Sequence, residues 1–458
     1  MSRTSRRTPV GRGTVRTRAL GTVRTRALVA VLAAGALLVA GCGGGSGSSG
    51  GSSKTSGVTI TVALASDSPP KAVLAEFTKQ SGIKVKWVNI DWDSLQTKIS
   101  AAATAKTYFA DATDVDWSRV GQLGQLGWFY PMDDFLDTKA MEADVPQLAS
   151  FTNEGHVVGI PYDASFMVTT VNKAMFAKAG VDPGPQTMDD YTAALRQIKA
   201  KGVAKYPLNI PFAAAEGLST YWYETTHAFG GTVLDQSGKP QFATPDSAGY
   251  KAAAWMVGAL KSGLVPPGNI NVSDSQGQQT LMAKGQVAST FSDYSGTVGT
   301  LYNVPSSSSV VGKVAYINTP GTTGPAANLS NPDGIGIPKE AKYPKAAAKF
   351  IEWFTATEQQ TDFSGVNGPA KAFPSYPIPS HLSAVQAMTE KGGLVGGDVL
   401  APMLQGSKPV FEGGAPSWYP KFSNAVYTSL HAAATGSMSV EDAIKNMADT
   451  ANNLAAGS

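Results

Sequence analysis

The chain has 458 residues, 42% hydrophobic and 16% charged; that is more than one core usually serves, so two lobes are expected. Its formal charge is +3, but eight arginines and no acid fall within residues 1–41, and the remainder carries −5. A mildly acidic body argues against a nucleic-acid partner, which would want a basic face, and the single cysteine, Cys42, excludes an internal disulfide.

The basic opening runs into an apolar stretch from Ala27 to Ala40, the layout of an export signal and too short for a permanent membrane-spanning helix. A tandem duplication, Gly13 to Leu20 repeated as Gly21 to Leu28, lengthens its basic part. Arg6 and Arg7 form a twin-arginine pair, but Thr8 and Pro9 after them match that signal poorly, so general export is expected. The signal closes in Leu38-Val39-Ala40-Gly41-Cys42. This resembles the lipobox of bacterial lipoproteins, which implies removal of residues 1–41, acylation of Cys42 and anchoring to the outer face of the cell membrane. Residues 42–57 are almost wholly Gly and Ser after the cysteine and read as a flexible tether. Gly47-Ser48-Ser49-Gly50-Gly51 imitates a hydrolase nucleophile elbow, but it lacks the strand before it and the helix after it that such an elbow requires.

Beyond the tether, Val58 to Ala65 alternates as a strand. A helix follows over Pro69 to Gln80, then a strand over Ile83 to Ile90, a helix over Asp93 to Lys106 and a short strand over Thr113 to Val115. Alternating strands and helices predict a mostly parallel sheet, whose strand ends carry ligands; Asp67, Asp116 and Trp117 stand at such ends. A hairpin is expected over Phe151 to Pro161 with its turn at Glu154-Gly155, and a strand over Phe166 to Val171. The helix Lys173 to Ala179 should stop at Gly180, and the next begins at Thr187 with Asp190 completing a capping box. Asp235 to Gly238 reads as a turn. Later helices are expected over Pro245 to Ser262, Gln276 to Lys284, Pro344 to Ala356, Lys421 to Ala434 and Ser439 to Leu454, and no segment after the signal is apolar enough to cross a membrane.

In this order, Phe77 to Val88, Asp114 to Asp134, Gly155 to Gly180 and Gly334 to Lys339 resemble the family 1 extracellular solute-binding proteins, the group that contains the maltose-binding proteins. The most diagnostic stretch, GHVVGIPYDASFMVTTVNKAMFAKAG, joins a hairpin, Ile-Pro-Tyr, a crossover strand and a helix closing in Ala-Gly. Two positions depart from the family pattern: Thr187-Met188 replaces Thr-Trp, and Pro332-Asp333-Gly334-Ile335 stands where a stacking ring is often supplied. The resemblance implies an α/β, two-lobed periplasmic-binding-protein fold (type II) with hinge crossover strands. Residues 58–168 plus 318–370 would form the first lobe and 172–310 plus 376–458 the second. It also implies a monomeric lipoprotein that captures a small solute between the lobes and hands it to the permease of an ABC importer.

A sugar site pairs carboxylates or amides with aromatic faces. Asp116 and Trp117 meet that description, although Asp116 could instead cap the following helix. So do Asp163 after the hairpin, Trp222 in an aromatic cluster read as opening a helix, Tyr294 after the strand Val287 to Phe291, and Trp418 before a long helix. Asp67 and Asp333 are further candidates, with simple turn formation as the alternative; Trp255 and Trp353 read as core. The scattered histidines, His156, His227, His381 and His431, and the absence of HExxH or a Cys/His cluster predict no metal, cofactor or catalysis. A secreted glycan-active enzyme is the rival, and a sensor or adhesion module would share every feature. Only Arg119 and Arg196 follow the signal, which disfavours a phosphate ligand and leaves a sugar, or a polyamine or other cation, as the cargo.

Overall fold

The computed structural model describes residues 52–457 except 274–276, 369–370, 374–377 and 413. The expected export signal, Cys42 and the expected tether as far as residue 51 lie outside the described residues.

Strand β1 (Thr59–Leu64) buries Ile60, Val62 and Leu64 completely, a period of two that fixes which face meets the core. The helix Lys71–Ser81 ends at Gly82, whose φ of 72° is the left-handed C-cap that only glycine adopts freely. Its N–H reaches the Thr78 carbonyl. Then come β2 (Lys84–Asn89), the helix Trp92–Ala105 capped by Asp91, and β3 (Ala112–Asp116). The hairpin β4 (Thr152–Asn153) and β5 (His156–Val157) turns on Glu154 and Gly155, both at positive φ (50° and 84°), as a tight two-residue hairpin requires. Strand β6 (Ile160–Pro161) follows, then β7 (Met167–Asn172), β8 (Leu208–Asn209), β9 (Ser289–Tyr294), β10 (Val314–Ile317) and β11 (Asp333–Gly336).

These strands build two main sheets, ordered β2-β1-β3-β11-β6 and β10-β7-β9-β8. The expected parallel core of the first is present in β2, β1 and β3, but β11 and β6 run antiparallel to their neighbours. The chain leaves the first sheet at β6, builds the second and returns at β11. The first sheet rests on the helix Pro344–Thr355 through Phe350, Ile351 and Phe354, with Phe77 edge-on to Phe350 at 5.5 Å. The second sheet carries the helices Glu216–Ala228, Ala248–Lys261, Tyr419–Thr435 and Val440–Ala456, packed on one another. Trp255 belongs to that core, 5.3 Å from Phe291, with its indole N–H on Thr192 Oγ1.

Helix caps read from sequence are present at Gly180 and at Thr187, whose hydroxyl accepts the Asp190 N–H at 3.1 Å. The helix around Trp222 begins six residues earlier than expected, at Glu216. The helices Thr357–Phe363, Leu382–Glu390 and Gly397–Gln405 were not foreseen: the first abuts its predecessor at Ala356, and the last carries Pro402 inside it, a residue that usually interrupts a helix. No described helix is long and apolar enough to cross a membrane.

Candidate functional site

A cleft of about 510 Å³ opens where the ends of the two sheets face each other. From the first sheet's side come Asp116, Trp117 and Ser118 at the end of β3, Asp333 at the start of β11, and Asp91 with Trp92 at a helix start. The opposite wall is the helix start Ala215 to Gly217, with Thr220, and Tyr294 at the end of β9; Ser165 and Asn331, in the two crossings, close the floor.

Local structure sets each side chain. Asp116 ends a wholly buried strand and accepts the Ser118 N–H at 2.8 Å as well as the Ser118 hydroxyl, so it caps the turn and lines the cleft at once. Trp117 donates its indole N–H to Asn331 Oδ1 at 2.8 Å, which ties the ring to the crossing; Asn331→Ala is expected to cost about 1 kcal/mol of stability in urea titration. Tyr294 follows an irregularity in register between β7 and β9, with Ser292 at φ 54°. A bulge of this kind re-aims the following side chains. Its N–H is held by Asp293 Oδ1 at 2.9 Å, and that buried carboxylate also accepts Thr170 Oγ1 and Tyr302 Oη, each at 2.7 Å.

Carboxylates gather under the floor. Asp333 stands opposite Asp116 in the β11–β3 ladder, an arrangement of like charges that is unfavourable when both ionise. Asp163 lies behind them and accepts the Asp333 N–H at 3.0 Å. Asp114 accepts Gln96 Nε2 at 2.6 Å and Tyr162 Oη at 2.7 Å. Burial raises all of these groups: Asp163 is pushed up to about 6, and Asp114 to about 7 with help from the Asp116 charge. Asp333 lies well above the usual carboxylate range, first through burial and then through Asp114, Asp163 and Asp116. In Asp116 burial outweighs the opposing Ser118 bonds and Arg119 charge. Glu216 is also raised by burial, against the hydroxyl of Tyr419 that it accepts. The floor therefore offers oxygens that take hydrogen bonds from a guest's hydroxyl or N–H groups, or return a proton to it, beside the rings of Trp92, Trp117 and Tyr294.

The structure brings Asp116, Trp117, Tyr294 and Asp333 into one cleft, while Asp163 supports it from behind. The other candidates stand elsewhere. Trp222 is completely buried, donates to the Gly249 carbonyl at 2.9 Å and meets Phe242 edge-on at 4.9 Å; it is core, because it falls in the middle of a helix enclosed by two others. Asp67 is exposed, accepts Asn89 Nδ2 at 2.9 Å and is not among the residues that line the cleft. Trp418 lines a separate hollow of about 330 Å³ with Gln125 and the turn 235–238. Sequence reasoning missed Asp91, Trp92, Glu216 and Asn331. The strand-end rule that flagged Asp116 and Trp117 applies equally to Asp91-Trp92 after β2, whereas Glu216 was hidden by the misplaced helix start.

Among the described residues no group of three or more His, Cys, Asp or Glu side chains is placed so that it could hold a metal ion.

Comparison with known proteins agrees with this architecture. The model for the bacterial extracellular solute-binding protein family matches residues 63–361. A binding protein of Brucella abortus (strain 2308) is 25% identical over 207 residues, covering 45% of this chain and 49% of that protein; the chain thus spans about half the length of the curated relatives it matches. Among solved structures, maltose-bound MalE3 of T. maritima has a TM-score of 0.73 at 22% identity, over 87% of this chain and 100% of that one. An ABC transporter solute-binding protein of Agrobacterium vitis S4, solved with D-mannitol, has a TM-score of 0.72 at 22% identity, over 86% of this chain and 98% of that one. With two sheets facing across a cleft and the family pattern running from the first strand to beyond the return crossing, the chain belongs to the bacterial extracellular solute-binding protein family.

Proposed function

We propose that this protein is the capture subunit of an ABC importer, holding a sugar or polyol between its lobes and releasing it to the permease without transforming it. The observation that carries the reading is the facing pair Asp116 and Asp333 beside Trp92, Trp117 and Tyr294 in one cleft. Vicinal hydroxyls donate to such carboxylates, and the C–H face of a sugar ring stacks on such rings. Relatives of the same fold were solved with maltose, D-mannitol and ribitol, which supports the solute class. In this proposal the lobes follow the two sheets, Cys42 carries the lipid that anchors the mature chain outside the membrane, and the protein works as a monomer.

The test is a thermal-shift screen of the chain lacking residues 1–42 against sugars and polyols, with polyamines and amino acids as controls. A solute at a hundredfold excess over its Kd is expected to stabilise the fold by about 2.7 kcal/mol. Shifts with polyamines alone would replace the sugar by a cation, and turnover of a glycan would replace the binding reading by an enzyme. Asp333→Asn is expected to weaken a retrieved sugar by about tenfold, roughly 1.4 kcal/mol, in isothermal titration calorimetry. Incorporation of labelled palmitate by the full chain and its loss in Cys42→Ser is the expected result for the anchor.

A further inference from the structure

The short segment after β3 faces two ways. Asp116, Trp117 and Ser118 line the cleft, while the opposite side of the same segment lies against the second lobe. Trp117 packs 6.2 Å from Phe411 and 5.7 Å from Tyr419, and the helix that begins at Tyr419 packs on the helix Glu216–Ala228. The positive charge of Arg119 acts on both Asp116 and Glu216, one from each wall, and its Nε has no hydrogen-bond partner. Two residues further, in the helix Val120–Gln125, stands Gly121.

A Cβ at residue 121 would collide with the Ala415 carbonyl oxygen and come within 3.0 Å of Ser417 N and 3.1 Å of the Pro416 carbonyl carbon. All of these are backbone atoms of the loop that leads into the second lobe's helix, so no side-chain rotation relieves the clash. Gly124, one turn away, presents a contrast: a Cβ there meets only the side chain of Asn153, in the first lobe's own hairpin. Of these two glycines, only Gly121 lies against main chain from the other side of this edge.

We propose that Gly121 is the stop that sets how far the lobes close over a bound solute, a positioning residue that tunes affinity without touching the ligand. The inference rests on the solute-binding reading of the cleft. A side chain at residue 121 arrests closure before both walls reach the guest, and a ligand favours closure only through contacts it gains in that state.

The test uses the mature chain with Cys42→Ser, spin-labelled at Leu126→Cys and Gln236→Cys, exposed positions on the two sides of this edge. Double electron–electron resonance measures their separation with and without Gly121→Ala, and Gly124→Ala serves as the control within one lobe. The expected result is a longer distance in Gly121→Ala only, an unchanged urea midpoint, and an off-rate for the best sugar from the screen raised by about tenfold at nearly constant on-rate. Distances unmoved by Gly121→Ala would overturn the proposal. So would a single fixed distance in the otherwise unsubstituted labelled chain with and without solute, or loss of folding in Gly121→Ala, because the contact would then be static core. If no sugar or polyol binds at all, the solute reading fails, while the solute-free label distances still judge Gly121.

Discussion

Replacing Trp222 by alanine is expected to destabilise the fold by about 3–5 kcal/mol. The ring is wholly enclosed, edge-on to Phe242 at 4.9 Å and 5.7 Å from Tyr223, and its N–H is satisfied by the Gly249 carbonyl. Truncation would leave a cavity and an unpaired buried carbonyl together, and the site has little room to collapse because Gly249 already abuts both Trp222 and Phe242. Phe at this position should recover most of the volume but not the hydrogen bond, which is worth about 1 kcal/mol. Urea titrations of the three proteins check the order. A ligand affinity that stays unchanged in the folded fraction of Trp222→Ala would agree with its place in the core, whereas a selective loss of affinity would return it to the cleft.

The second large effect is on pH dependence. Glu224 is completely buried on the same helix and reaches the return crossing, where it accepts Thr319 Oγ1 at 2.8 Å and the Leu329 N–H at 3.2 Å. Burial pushes its carboxyl up to about 8. Since the folded chain then holds a proton that the unfolded chain releases near 4.5, stability is greatest at low pH and falls as pH rises from about 4.5 to 8, levelling off above that. Asp163 and Asp293, pushed up to about 6, and Asp114, to about 7, act in the same direction over a lower window. Glu224→Gln keeps the shape of the neutral acid and removes its titration. The variant is therefore expected to gain on the unsubstituted protein between pH 5 and pH 8.5 by a few kcal/mol, about 5 at most. Urea midpoints at the two pH values measure this; parallel pH profiles would show that Glu224 is charged in the fold.

Much of the molecule was legible because local rules dominate it. The β1 alternation, the stop at Gly180, the Thr187 cap and the Glu154-Gly155 hairpin each follow from one or two residues and their neighbours. The place of Asp116 and Trp117 at the cleft was legible for the same reason: a strand end in an α/β sheet is a fixed place. The reading of Trp222 failed because Trp-Tyr-Glu looks alike in a cleft and in a core. What separates them is the position within the helix, and a start at Glu216 moves Trp222 from the mouth to the interior. Trp418 shows the same limit, since a half-buried ring before a helix says nothing of which hollow it faces.

The sequence by itself determined the alternation of strands and helices, the caps, the acidic body behind a basic opening and the family pattern from the first strand to the return crossing. Only the tertiary structure decided that Asp333, returning on β11, lies opposite Asp116 more than two hundred residues away, that Asp163 and Asn331 serve as supports for Asp333 and Trp117, and that Gly121 lies against the backbone of residues 415–417. Such pairings depend on which strand ends the crossings bring face to face, and no local propensity encodes a contact between segments that meet only when two sheets assemble.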